Sequence, residues 1–385
     1  MTKPQTEDTK TSLTAHVRRQ NLLAIYAALA GFLLPIAAVM AYNYRYDPYQ
    51  YYRVWNGPYP VYTGVERYEI PGLAKHQDYD TIIVGTSRSQ NFTPSMFKSS
   101  GWKVLKLTAA GSNGAEHEKI ARLALNTGRP RRVIWELSHN RYEAGPNVIS
   151  QPGSFPNFLY EPSLETPFLY LLSLDVLAAA HTLATGQRAK ADLETLNVWY
   201  PRHAEKFGAN LYLNSARLKC ESLDTFTVPE PILPPLMKAS ISKNLEGVVR
   251  AFPNVQFIGY LPPFPLSLVA VSSRGETAQR MAFNREIYAL KEKYPNFVLF
   301  DFTVLDSVTT KPERYKDFAH YDQAANAEMA RIISANDEKY RSYTYDGAAS
   351  ILQTQVRDFE WQKLTTCQGQ NASPKTIEPA AGFDQ

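Results

Sequence analysis

The chain has 385 residues, 44% of them hydrophobic and 20% charged, with 26 Pro, 19 Gly, 24 Tyr and only 2 Cys. That balance excludes a disordered chain, a collagen, a coiled coil and a disulfide scaffold, and a mean hydropathy of -0.33 excludes a polytopic transporter while leaving room for one span. A net charge of +4 without a Lys/Arg run argues against nucleic acid as a partner.

Residues 22–42 read LLAIYAALAGFLLPIAAVMAY without a single charge. About 20 residues of helix cross a hydrocarbon core, so this segment is expected to span and to make the lipid bilayer a partner. Lys3, Lys10, Arg18 and Arg19 precede it, against Arg45, Arg53 and Asp47 on the other flank. The basic excess places residues 1–21 in the cytoplasm and the main domain in the periplasm or outside the cell, on a single-pass protein of the inner (plasma) membrane. Val39 and Ala41 would also suit a cleaved signal peptide, but the apolar run exceeds the usual h-region.

Eight tyrosines fall between Tyr42 and Tyr62, with Trp55, Pro48, Pro58 and Pro60. Their amphipathic rings suit the headgroup layer, so residues 43–79 read as an aromatic juxtamembrane segment; stacking on sugars is the other use of such rings. A second apolar run, from Pro167 to Ala184, is interrupted by Asp175 and His181 and reads as a core or interfacial helix rather than a span. Cys220 and Cys367 would face an oxidising compartment, where pairing depends on geometry.

Beyond residue 79, strand and helix patterns alternate. Strands are expected at 80–84 (DTIIV), 103–107 (KVLKL), 132–137 (RVIWEL), 255–260 and 297–302, and helices at 115–126, 236–251, 276–294, 323–334 and 347–364. Such alternation predicts an α/β domain over 80–364, a parallel sheet between two helical layers. Residues 146–235 break the rhythm with prolines and helical patterns, an insertion that would cover one side of the sheet. Residues 365–385 close the chain as a polar, disordered tail.

Gly85-Thr86-Ser87 is the only G-x-S triplet, and it sits where the first strand ends. A serine at the C-terminal edge of a parallel strand projects into the crevice where such sheets bind ligands. It becomes a nucleophile only with a base, usually a histidine oriented by a carboxylate. Asp317-Phe318-Ala319-His320 is the only D-x-x-H, between the last strand and the helix after it, and its spacing lets both side chains reach one side. Ser87, His320 and Asp317 are therefore the candidate nucleophile, base and orienting acid. Ser89 is an alternative nucleophile. Glu116, His117 and Glu118 suit a helix start better than a metal, His139 suits a surface turn, and Arg88 serves either an anionic ligand or an ion pair that fixes the loop. Tyr260 to Phe264 offers an apolar pocket wall or a plain turn.

In this arrangement the chain resembles the SGNH (GDSL-like) hydrolase superfamily, over residues 80–334 without the insertion. The resemblance implies a three-layer, flavodoxin-like sheet, a nucleophilic Ser87, an oxyanion hole from Ser87, Gly111 and Asn140, and Asp317 with His320 as the remaining pair. Asn113 competes with Asn140 for the side-chain donor. Thr86 stands where the family has Asp, and the family's Gly-x-Asn-Asp block is missing. The anchored layout is similar to DltD-like and alginate-acetylation proteins, which implies an esterase or O-acyltransferase acting on envelope polysaccharide or another surface acyl ester, with that polysaccharide or an acyl-donor protein as the expected partner. Neither a metal nor an organic cofactor is implied. The competing expectation is a non-catalytic envelope protein that keeps the fold for glycan binding or assembly.

Overall fold

A computed structural model describes residues 6–54, 62–161, 163–186, 192–208 and 226–359. Trp55, Pro58, Pro60, Cys220, Cys367 and the 365–385 tail lie outside these residues. The chain divides into two compact units, residues 1–63 with 156–190, and residues 64–155 with 191–385.

The first unit is helical. Thr6–Tyr46 is one helix, and within it Arg18–Tyr46 is long and apolar enough to cross a membrane. The apolar stretch thus outruns the expected 22–42 at both ends, and residues 43–46 are helix rather than juxtamembrane chain. The helix stops at Asp47, whose φ of 39 is left-handed, a conformation that Asp tolerates better than most residues. Its carboxylate accepts the backbone N–H groups of Tyr51, Tyr52 and Arg53 at 2.9, 3.0 and 3.1 Å and the Tyr170 hydroxyl at 2.8 Å. The second apolar run forms Thr166–Leu172 and Leu174–Ala184, two helices bent by 55° at Ser173 and packed on the N-terminal helix. Asn43, fully buried, donates to the Leu171 carbonyl at 2.9 Å. Part of the expected insertion, residues 156–190, therefore belongs with the N-terminal helix and not with the sheet domain.

The second unit holds five parallel strands: β1 (Thr81–Gly85), β2 (Val104–Thr108), β3 (Arg132–Glu136), β4 (Gln256–Leu261) and β5 (Phe297–Asp301), in the order β2-β1-β3-β4-β5. This is one of the two common doubly wound orders. Successive residues of β1 and β2 are buried on both faces, as a sheet covered by two helical layers requires. Gly114–Leu125, Arg274–Lys293 and Gln323–Ser334 are the longer helices expected from sequence, each begun by a side-chain cap from Asn113, Ser273 and Asp322. Pro235–Ile241 continues through a π turn, Ser242–Glu246, into Gly247–Ala251, and Tyr345–Asp358 is the last described helix.

One helix falls inside the expected 43–79 segment. Glu66–His76 forms despite Pro71 and Gly72, because Ile70, Leu73 and Ala74 bury one side of it. Tertiary burial outweighs the two poor helix formers.

Candidate active site

Ser87 leaves β1 two residues after Gly85, at the C-terminal edge of the sheet. The turn that carries it is tied to one carboxylate from the neighbouring strand. Glu136, the last residue of β3 and 1% exposed, accepts Thr86 N at 2.9 Å, Thr86 Oγ1 at 2.8 Å, Ser89 Oγ at 2.5 Å and Arg88 Nε at 3.0 Å. Arg88 Nη2 completes a 2.8 Å ion pair with it and also reaches Ser138 Oγ. Burial alone would raise the Glu136 pKa, but the Arg88 charge and the Ser89 and Thr86 hydrogen bonds reverse that and pull it down to about 2. Gly85 has no room for a side chain, since an added Cβ would stand 2.2 Å from Ser89 Oγ and 2.8 Å from Glu136 Oε2.

These contacts settle two alternatives. Ser89 is fully buried and engaged with Glu136 and, at 2.6 Å, with the Tyr260 hydroxyl, so it serves the turn and not as a nucleophile. Arg88 is the ion pair that fixes the loop.

His320 reaches Ser87 from 233 residues away. Ser87 Oγ and His320 Nε2 are 2.9 Å apart, and His320 Nδ1 lies 2.9 and 2.8 Å from the two Asp317 oxygens. With Nδ1–H donating to the carboxylate, Nε2 is the acceptor for the Ser87 hydroxyl. Asp317 is fixed by its own loop, accepting the Ala319 and His320 backbone N–H groups at 2.8 Å each. Burial pushes its pKa up, but the hydrogen bond and charge of His320 and the two backbone donors outweigh this and hold it below the usual carboxylate range. The three candidate residues therefore come together in one hydrogen-bonded relay.

Gly111 follows β2 with φ of 65, a left-handed turn position that favours glycine. Register places the ends of β1 and β2 side by side, with Gly85 opposite Thr108. Among the described residues, neither the Ser87 nor the Gly111 backbone N–H has a hydrogen-bond acceptor. Asn113 is committed elsewhere: its side chain caps a helix at Glu116 N, 3.2 Å, and donates to the Val148 carbonyl at 2.7 Å. Asn140 is exposed in the short turn His139–Arg141 and lines a cavity beside the relay, together with Arg88 and Ala319. Leu261, Pro262 and Phe264 form an apolar wall of that cavity, and His139 lines it too. Glu116 pairs with Arg67 at 2.8 Å, His117 Nε2 meets Ser112 Oγ at 2.9 Å and Glu118 pairs with Arg122 at 2.9 Å, so these three side chains have separate structural partners.

Sequence reasoning missed Trp199. From the insertion, its indole Nε1–H donates to the Ser87 carbonyl at 2.7 Å, and its ring meets the His320 ring edge-on, centroids 5.4 Å apart at 90°. Asn91 Oδ1 fixes the backbone there, accepting Trp199 N at 3.2 Å and Tyr200 N at 3.0 Å. Lys106 ties the same segment to the serine loop, its Nζ donating to the Gln90 and Leu196 carbonyls at 3.0 and 2.6 Å.

Fold and geometry together define a parallel α/β protein with a Ser–His–Asp relay at the C-terminal edge of its sheet. No family model matches the chain, and the search of curated proteins finds no relative.

Proposed function

We propose that the protein is a membrane-anchored, SGNH-like serine esterase or O-acyltransferase whose substrate is an envelope polysaccharide or another surface acyl ester. The observation that carries this reading is the continuous contact from Ser87 Oγ through His320 to Asp317. Ser87 Oγ attacks the acyl carbonyl as His320 Nε2 takes its proton, and Asp317 stabilises the imidazolium. The Ser87 and Gly111 amides, with Asn140 as the family's side-chain donor, receive the oxyanion, each such donor supplying about 2.7–4 kcal/mol in the transition state. The leaving alkoxide recovers the proton from His320. Water or a sugar hydroxyl then gives its proton to His320, attacks the acyl-serine and releases Ser87. The apolar helix Arg18–Tyr46 supports an anchor, and the Lys/Arg asymmetry supports a relay outside the cytoplasm.

The test uses full-length protein in detergent micelles. A fluorophosphonate probe should label the wild type and not Ser87→Ala or His320→Ala, and p-nitrophenyl acetate turnover should fall at least about 10³-fold in both variants. A glycan acceptor that diverts the acetyl group distinguishes transfer from hydrolysis. Equal labelling of wild type and Ser87→Ala would remove Ser87 from the role, and a wild type that neither labels nor turns over ester would leave the non-catalytic reading.

A further inference from the structure

The cavity beside the relay has a volume of about 80 Å³ and lies past the ends of β3 and β4. It shares a wall with the catalytic candidates: Arg88 directly follows Ser87, and Phe318 and Ala319 lie between Asp317 and His320. A second arginine forms part of that wall. Arg280, on the helix Arg274–Lys293, is 7% exposed, yet among the described residues its Nη1 has no hydrogen-bond acceptor. Its contacts are a long 3.4 Å hydrogen bond from Nη2 to Ser272 Oγ and the Phe264 ring, whose centroid is 4.8 Å from the guanidinium carbon.

Arg280 is thus unlike Arg88, which is neutralised by Glu136. Two carboxylates, Glu276 and Glu143, act on Arg280 through their charges, but among the described residues neither forms an ion pair with it. Glu276, one turn earlier on the same helix, accepts Ser273 N at 2.6 Å in the helix cap, and Glu143 sits 3.8 Å from His139. A buried cation without a directly paired carboxylate is costly, and an anionic ligand would supply the missing contact. The neighbouring histidine reports the same positive excess. Burial first, then the charges of Arg280, Arg88 and Arg141, push the His139 pKa well below its ordinary value and leave the ring neutral. Asn140 and Asn284 add uncharged amide donors to the lining.

We propose that this cavity is an anion subsite, in which Arg280, assisted by Asn140 and Asn284, holds a carboxylate or phosphate of the molecule whose ester is presented to Ser87. A planar guanidinium matches either group with paired N–H donors. The identity of the anion as part of the substrate rests on the esterase reading; its binding does not. Leu261, Pro262 and Phe264 give the same cavity an apolar wall that suits the ring face or chain that carries the charge.

The experiment separates the two claims by using full-length Ser87→Ala protein throughout, in detergent micelles. Glucuronate, glycerol phosphate and glucose are titrated calorimetrically into this protein and into the same protein carrying Arg280→Gln or Arg280→Lys. At least one anion should bind ten-fold or more tighter than glucose, and which one binds distinguishes an acidic sugar from a phosphate-bearing headgroup. Arg280→Gln should abolish the preference, and Arg280→Lys, which keeps the charge but loses the paired donors, should weaken it several-fold even if the Gln variant does not fold. Equal binding of glucose and both anions overturns the proposal, as does an undiminished preference in either Arg280 variant. Failure here leaves the nucleophile untouched, because fluorophosphonate labelling of the wild type decides that separately.

Discussion

Glu136→Gln is the most informative single change, because it keeps the shape of the side chain and removes only what the serine turn relies on. Glu136 receives donors from Thr86, Ser89 and Arg88, so the amide NH₂ of Gln must face at least one group that also needs to donate, while Arg88 loses its counter-ion. Breaking a buried ion pair from one side typically costs about 3–5 kcal/mol. The titration of Glu136 gives a second route to the magnitude. Its pKa falls from an ordinary 4.5 to about 2 on folding, and a depressed carboxylate stabilises the fold fully above the unfolded value, a contribution of about 3 kcal/mol at pH 7. That contribution is lost as pH falls from 4.5 through the folded pKa, with about 2 kcal/mol of it gone by pH 3. The thermal midpoint of Glu136→Gln should therefore lie roughly 6–12 °C below wild type at pH 7, and the gap should narrow steadily between pH 4.5 and pH 3. Scanning calorimetry of both full-length proteins across that range checks it. A gap that is absent at pH 7, or that stays constant down to pH 3, would refute the claim that an ionised Glu136 holds the turn.

Trp199→Phe removes the indole hydrogen bond to the Ser87 carbonyl while keeping an aromatic edge near His320; esterase kcat should fall about 10-fold, with a stability loss of about 1 kcal/mol in thermal melts. Asp317→Asn should leave the fold intact and reduce kcat by about 10²–10⁴, since the amide no longer selects the Nδ1–H tautomer; steady-state rates with p-nitrophenyl acetate measure it. Burial, only partly offset by Glu194 and Asp192, lowers the Lys106 pKa to about 7. A lysine depressed in the folded state disfavours folding below that pKa and less so above it, so wild type should gain about 2 kcal/mol relative to Lys106→Met between pH 7 and pH 9. Chemical denaturation at the two pH values tests that sign.

Much of the sheet domain was legible in the sequence because its signals are local. The β-branched runs of β1, β3 and β5 and the helix 323–334 lie within a residue or so of their expected bounds, since burial on both faces demands unbroken apolar stretches. Ser87 and the Asp317–His320 pair were legible for a similar reason, the first set just past a strand end and the second just before a helix start. What escaped was set by contacts between residues far apart in the chain. Glu136 acts on residues about 50 positions earlier, and Trp199 on one 112 earlier, so no spacing rule could nominate either. The one local sign of Trp199 is that it is the lone tryptophan of an insertion that follows a strand end, where pocket walls are commonly built. The helix Glu66–His76 was hidden by Pro71 and Gly72, whose local cost is overridden only once Ile70, Leu73 and Ala74 have a surface to bury against. The division of the insertion, with residues 156–190 joining the N-terminal helix, depends on Asp47 and Asn43 finding Tyr170 and Leu171, pairings with no sequence signature.

The position of Glu136 bears on how the serine turn obtains its carboxylate. The SGNH pattern that the sequence resembles has an acid immediately before the serine, whereas here Thr86 fills that place, fully buried, and donates to an acid that arrives from β3. Writing the acid back in with Thr86→Asp would set two carboxylates against each other in one dry site, where one must take up a proton. An acid at position 86 and an acid at position 136 therefore exclude one another in this turn. A carboxylate lent by the neighbouring strand leaves residue 86 to be a neutral donor, so the turn is braced across the sheet rather than along its own strand.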